Sequence, residues 1–527
     1  MSTDDPETDA ADPTDTETTD APTDPSAAYE ELLDHYRRAT YLEDAGQVLH
    51  WDQQVTMPSG GTPARSKQSA ALSTVAHETL TSPAVGEALD AIDADTGDAT
   101  DTTALDEARA ATVREIRRRY DRNARVPDEL IERLTETGTE AQEVWQTAKA
   151  EDDFAHFAPT LERLRDLHRE RAAAIDPDTP AYEVMFDDGL PHLSLDRVEE
   201  IFADLRDGLV PLIERIEREG RELPTPFRDA GPFSEAEQEA LSEAALDALG
   251  YPEDRGRLDT SPHPFTAGTQ FDSRVTTRYQ PEDPLDALTA TIHEFGHASY
   301  QLGLPQEDYG EPLGQAMGSG VHESQSRFWE NHVGRTRAFW EFFLPEAKRH
   351  LDGIDDVTVD EAYAAANRIY PDNPIRVEAD ELTYHLHVLL RAEVGEAFVS
   401  GEIDADEIPR LWNERHEEYL GFAPETDTEG CLQDIHWSGG FAAFHGYTVG
   451  SVLAAQLDHA MRRELDVDGL IRDGEFQPLW DWLTEHVHAH GRRYTTDELV
   501  ERATGEPLTA EYFLAYAEEK FEALYGL

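Results

Sequence analysis

The chain has 527 residues, 39% of them apolar, and sets 44 Lys plus Arg against 111 Asp plus Glu for a formal net charge of -67. That is enough apolar material for a large buried core, while so strong an anionic field excludes nucleic acid and anionic membrane surfaces as partners. A single cysteine, Cys431, excludes an intrachain disulfide framework and a cysteine-built zinc site, and fits a reducing compartment.

Residues 1–26 are mostly Asp, Thr, Pro and Glu with no basic residue, which predicts a disordered acidic tail. Only four of the 44 basic residues are lysines (Lys67, Lys149, Lys348, Lys520). At molar salt the Debye length falls to about 3 Å and screens such self-repulsion, so the composition predicts a halophilic, cytoplasmic protein. No run of 18 apolar residues and no basic-then-apolar leader occurs, which argues against a membrane span or a secretory signal.

From Tyr29 onward the apolar spacing is helical. Pro127–Ala150 reads as one helix, and in Leu195–Glu219 the residues Val198, Ile201, Leu205, Leu209, Leu212 and Ile216 form a core-facing stripe. Ser234 with Glu237 is a capping-box pattern for a helix running to Leu249, stopped by Gly250 and Pro252. Arg274–Arg278 reads as a short strand, followed by helices over Pro284–Leu302, Glu323–Trp340, Val359–Ile369 and Ala379–Val399. No fixed-period repeat or Gly/Ser linker divides residues 27–527. The pattern predicts a mainly α protein with a small β element in one large domain, residues 27–250 forming helices and 251–527 the catalytic core.

Within the helix after Pro284 lies His293-Glu294-Phe295-Gly296-His297. Histidines four apart share one helical face and can converge on one ion, and Glu294 can reach a metal-bound water as a base. Gly296 costs about 1 kcal/mol relative to Ala inside a helix, which points to close packing there. The third ligand comes from the next helix, with Glu323 the better candidate and His322 its competitor. Three protein ligands leave one position for water, the catalytic pattern for zinc.

Those motifs, with His263-Pro264-Phe265, Asp272-Ser273-Arg274-Val275-Thr276, His322-Glu323-Ser324-Gln325, Ile375–Asp380 and Gly430–Trp437, closely resemble the thermostable, or Taq-type, zinc metallocarboxypeptidases. His50-Trp51-Asp52-Gln53, Met57-Pro58 and Arg65 are similar too, so the resemblance covers about residues 27–527. It implies a helical zincin-type fold with a deep groove, a homodimer, and one Zn2+ per subunit, with Co2+ as a substitute. The implied activity is removal of single residues from free peptide carboxyl termini, with broad specificity and poor action on C-terminal proline. The resemblance also implies His293, His297 and Glu323 as ligands, Glu294 as base, and Arg376 as the arginine that reads the terminal carboxylate.

His436 and Tyr447, eleven residues apart with Gly439 and Gly440 between them, are candidates to donate to the developing oxyanion. Arg274 is a second candidate for the substrate carboxylate, and Asp272 could orient it or a ligand histidine. His263 could line the groove, and Asp380, Glu381 and Tyr384 are expected in one helix. Phe441–Tyr447 departs from the family by one residue, which bears on Tyr447. A catalytic role for Cys431 is set aside, because a lone thiol is usually a small buried hydrophobe. Two other readings share these residues: an endopeptidase using the same metal, and a scaffold with structural zinc.

Overall fold

The computed structural model describes residues 25–96 and 105–527. Most of the expected acidic tail lies outside them, and its last two residues already belong to the first helix, Pro25–Val55. The architecture is mainly helical with one three-stranded sheet. Two separate hydrophobic clusters form. A small one unites Leu32, Tyr36, Leu89 and Ile116 from the amino-terminal helices, and a large one fills the rest of the body.

Local sequence explains several elements directly. Ser234 Oγ accepts from the Glu237 amide while Glu237 Oε2 accepts from the Ser234 amide, so the helix Glu235–Leu249 starts with both orphan donors satisfied and ends at Gly250 with φ +84°. The helix Leu195–Glu219 buries the whole expected stripe. Pro127–Ala150 is matched by Asp128–Glu151.

Strand β1 (Gly256–Thr260) runs parallel to the central β3 (Ser273–Thr277), and β2 (Thr266–Gly268) pairs antiparallel on the other side. Thr277 Oγ1 donates to Ala287 O and Ser273 Oγ to Gln301 Oε1, which ties β3 to the following helix, Pro284–Gly303. That helix, capped by Asp283, carries the two histidines.

Two expectations need correction. The single helix expected over Glu323–Trp340 is three pieces: Ser319–Arg327, a π-helical turn Phe328–Gly334, and Arg337–His350, newly capped by Thr336. Apolar spacing runs through the break, so periodicity alone joins them. The helix expected from Ala379 begins at Thr383, because Asp380 Oδ1 accepts from the amides of Leu382 and Thr383. Asp380 and Glu381 therefore precede it, and only Tyr384 of the three is helical. Among the described residues no helix is long and apolar enough to cross a membrane.

Candidate metal centre

His293 and His297 stand one helical turn apart, with ring centroids 5.0 Å from each other. Glu323 Oε2 lies 3.9 Å from His293 Nε2 and 3.4 Å from His297 Nε2. Tetrahedral bonds of about 2.0–2.1 Å place neighbouring donors roughly 3.4 Å apart, so the three atoms converge at a spacing that fits an ion. Two imidazoles and a carboxylate suit zinc among several divalent metals. Among the described residues this is the group of His, Cys, Asp and Glu side chains so arranged.

Glycines allow the helices to approach that closely. A Cβ on Gly296 would lie 2.5 Å from Ser326 Cα and 2.6 Å from Gln325 O. On the opposite side of Ser319–Arg327, a Cβ on Gly450, in the helix His445–Arg462, would lie 2.6 Å from Glu323 Cβ. The ligand helix is thus pressed between two neighbours at the turn that bears Glu323, as the glycine in the His-Glu-Phe-Gly-His run suggests.

A residue not assigned from the sequence completes this wall. Glu330, on the π-helical turn, accepts from His293 Nδ1 at 2.9 Å, which leaves Nε2 free for a metal. Arg335 Nη2 donates to Glu330 Oε1 at 2.8 Å, while Arg327 spans both acids, Nε to Glu323 Oε1 at 2.8 Å and Nη1 to Glu330 Oε2 at 3.2 Å. Burial opposes the charge on Glu330, yet Arg335, Arg327 and His293 hold its carboxyl well below the usual range. His322, the competing ligand, instead stacks on His297 at 4.4 Å, and burial pushes its pKa down to about 3.

Glu294 is 6% exposed and is not among the converging donors. Its Oε2 accepts from Thr266 Oγ1 at 2.6 Å, from the edge strand β2. His293 and Glu294 share a cavity of about 260 Å³ with Arg327, Glu330, Tyr384 and the strongly exposed Val377.

A second group joins short 3-10 turns bearing Arg376 and His436 to the helices bearing Tyr384 and Tyr447. Arg376 Nη1 donates to Tyr384 Oη at 3.4 Å, and its guanidinium lies 4.8 Å from the Phe444 ring and 6.0 Å from those of Tyr384 and Tyr447. His436, 46% exposed, packs on Phe444, and its Nδ1 bonds Asp434 Oδ1 at 2.6 Å. Burial raises the pKa of the Tyr447 hydroxyl, with Glu323 adding to the shift. The structure thus brings Arg376, His436, Tyr384 and Tyr447 into one constellation.

Other candidates fall elsewhere. Asp272 bonds Arg274, whose guanidinium lies 4.5 Å from the Trp51 ring, beside a different cavity of about 240 Å³. Asp272 makes no bond to His293 or His297; the carboxylate on His293 Nδ1 is Glu330, and among the described residues His297 Nδ1 is buried with no hydrogen-bond partner. His263 is exposed, and its neighbour Pro264 lines the metal-side cavity instead. Asp380 is consumed by capping, and Glu381 pairs with Lys520 and Tyr516 at 2.6 Å each. Cys431 is buried, and burial drives its thiol pKa well above the ordinary value.

Known proteins share this arrangement of chain. The profile described as carboxypeptidase Taq (M32) metallopeptidase matches residues 31–521. Thermostable carboxypeptidase 1 of Thermus thermophilus is 39% identical over 515 residues, which are 95% of this chain and 100% of that protein. Carboxypeptidase 1 of Bacillus subtilis is 34% identical over 94% of this chain and 98% of its own. The crystal structure of M32 carboxypeptidase from Deinococcus radiodurans superposes with a TM-score of 0.90 at 34% identity, covering 95% of this chain and 100% of that one.

Proposed function

The chain belongs to the carboxypeptidase Taq (M32) metallopeptidase family, a metallocarboxypeptidase and so a peptide hydrolase, and from that premise we propose that it uses zinc to release single residues from free peptide carboxyl termini. In this reading side-chain specificity is broad and a terminal proline is cleaved poorly. His293, His297 and Glu323 hold one Zn2+ per subunit, with Co2+ able to replace it, and the working form is a cytoplasmic homodimer.

When bound, the ion supplies Lewis acidity toward a water and the scissile carbonyl. Glu294 takes a proton from the attacking water at its carboxylate and gives it to the leaving amine. His436 and Tyr447 donate to the oxygen that gains charge, a contribution of roughly 3–4 kcal/mol for each well-placed donor. Arg376 grips the terminal carboxylate with its planar fork, and the three rings around it keep that pair out of bulk water. Arg274 is the second candidate for the terminal carboxylate, and His263 a candidate to line the groove.

The observation that carries the proposal is the convergence of His293 Nε2, His297 Nε2 and Glu323 Oε2 beside a buried Glu294. Mass spectrometry of a mixed peptide, with and without a chelator, tests it. The expected result is a metal-dependent ladder of one-residue losses from the carboxyl end, with amidated peptides spared. Equal cleavage of amidated peptides would point to the endopeptidase instead. Glu294→Gln is expected to retain metal and lower kcat by about 10²–10⁴-fold, and retained turnover refutes the base assignment.

The composition supports work at high salt. Helical signal and activity are expected to fall as KCl drops from molar to millimolar, as the Debye length grows from about 3 Å toward 30 Å. An unchanged signal across that range refutes this part.

A further inference from the structure

Beneath the group around Arg376 and His436 lies a buried charge that the proposed chemistry does not use. Arg391, in the helix Thr383–Ser400, has none of its surface exposed. A buried guanidinium is costly unless its partners are fixed. Its Nε donates to Asp434 Oδ2 at 3.1 Å, its Nη2 to Gly440 O at 3.4 Å, and its Cζ lies 3.4 Å from the Trp437 ring centroid. Room for it comes from Gly395 on the same helix, where a Cβ would lie 2.7 Å from Arg391 Nη1 and 3.0 Å from Phe441 O.

Both hydrogen-bond acceptors of Arg391, and the Trp437 ring it stacks on, belong to the segment that presents His436, while among the described residues its Nη1 has no hydrogen-bond partner. Asp434 divides its carboxylate: Oδ2 faces Arg391, while Oδ1 accepts from the His436 ring at 2.6 Å and from its amide at 3.2 Å and lies 3.9 Å from Arg376 Nη2. Burial works against the charged form of Asp434, yet His436 and Arg391 hold its pKa down to about 2. Trp437 and Gly440 flank His436 in the same pair of turns. The half-exposed imidazole is held by its edge-on contact with Phe444 and by Asp434.

We infer that Arg391 is a positioning residue for the reaction, locking Asp434 and the 436–440 turn so that His436 keeps its Nδ1 on Asp434 and offers Nε2 to substrate. This rests on the reading above that His436 donates to the developing oxyanion. Arg391 acts at one remove, through a carboxylate it never shares with substrate.

A double-mutant cycle tests it, with kcat, KM and metal content measured for Arg391→Met, His436→Ala and the pair. The expected result is a fall in kcat of about tenfold for Arg391→Met, with KM and metal content unchanged, and no further fall when the change is added to His436→Ala. Arg391→Lys, which keeps the charge, should recover part of the loss, and it replaces Arg391→Met in the cycle if that variant does not fold. A fall of the same size in the His436→Ala background overturns the inference, because a general structural role would not need the histidine. So does an unchanged kcat in the arginine variants while His436→Ala is impaired. An unchanged kcat in His436→Ala itself removes the role of His436, and the inference with it.

Discussion

The metal side of the candidate site and the group around Arg376 and His436 are held by different physics. On the metal side, helices meet at glycine contacts, and two carboxylates are crossed by two arginines, so each charged group has an opposite partner within 3.2 Å. In the second group, short turns carry a half-exposed His436, and one buried arginine ties their backbone together. Interlocked helices leave the ligand geometry little freedom, whereas turns let an exposed donor adjust to substrate once its far nitrogen is fixed.

The sharpest way to break this contrast is to add the same methyl group on each side. At Gly296 it would meet backbone atoms of Gln325 and Ser326, which cannot swing aside. Gly296→Ala is therefore expected to cost about 3 kcal/mol, near the top of the usual range for overpacking, read as a lower thermal midpoint with weakened metal retention. At Gly440 nothing lies within 4 Å of a Cβ and φ is not positive, so Gly440→Ala should stay within about 0.5 kcal/mol. Equal effects at the two positions would refute the contrast.

A second test concerns charge on the metal side. Glu330→Gln keeps the side-chain shape but removes the carboxylate that fixes His293 and neutralises Arg335 and Arg327. Metal dissociation should rise about 10–100-fold, measured by competition with a chromophoric chelator. An unchanged affinity would show that helix packing alone orients His293.

Much of the metal side was legible in the sequence for a local reason. Two histidines four apart define a face and Gly296 in that run signals a near neighbour, both from spacing within one element, while Glu323 is expected at the start of the next helix and is found in the middle of Ser319–Arg327. Glu330 escaped because it acts across 37 residues, from a π-helical turn that interrupts the helix expected over Glu323–Trp340. No periodicity announces such a turn. Asp380 and Glu381 were misplaced for a related reason: a capping carboxylate and a long-range pair with Lys520 read in sequence like ordinary polar positions of a helix. The role proposed for Arg376 rests only on the family resemblance, since nothing near it in sequence separates it from the other arginines. Two of the three aromatic rings around it, Phe444 and Tyr447, are contributed by a distant segment.

The smallest expected effect lies where the sheet touches the metal side. Thr266 Oγ1 is 2.6 Å from Glu294 Oε2 and 2.9 Å from Glu294 O, and one hydroxyl proton can serve only one of them at a time. With the proton on Oε2 the carboxylate is held in place. With it on the main-chain oxygen, that lone pair is free to accept from water without moving the side chain. The threonine is thus suited to orient Glu294, the proposed base, and then release it. Thr266→Val keeps the volume and the β-branched shape on the edge strand but removes both options. A single such bond is worth about 1 kcal/mol, so kcat should fall roughly fivefold, while metal affinity stays unchanged because neither ligand histidine is touched. Thr266→Ser, which retains the hydroxyl, should preserve most of the rate. If valine matches the native rate, the packing of the metal-bearing helix against the sheet is sufficient to place Glu294.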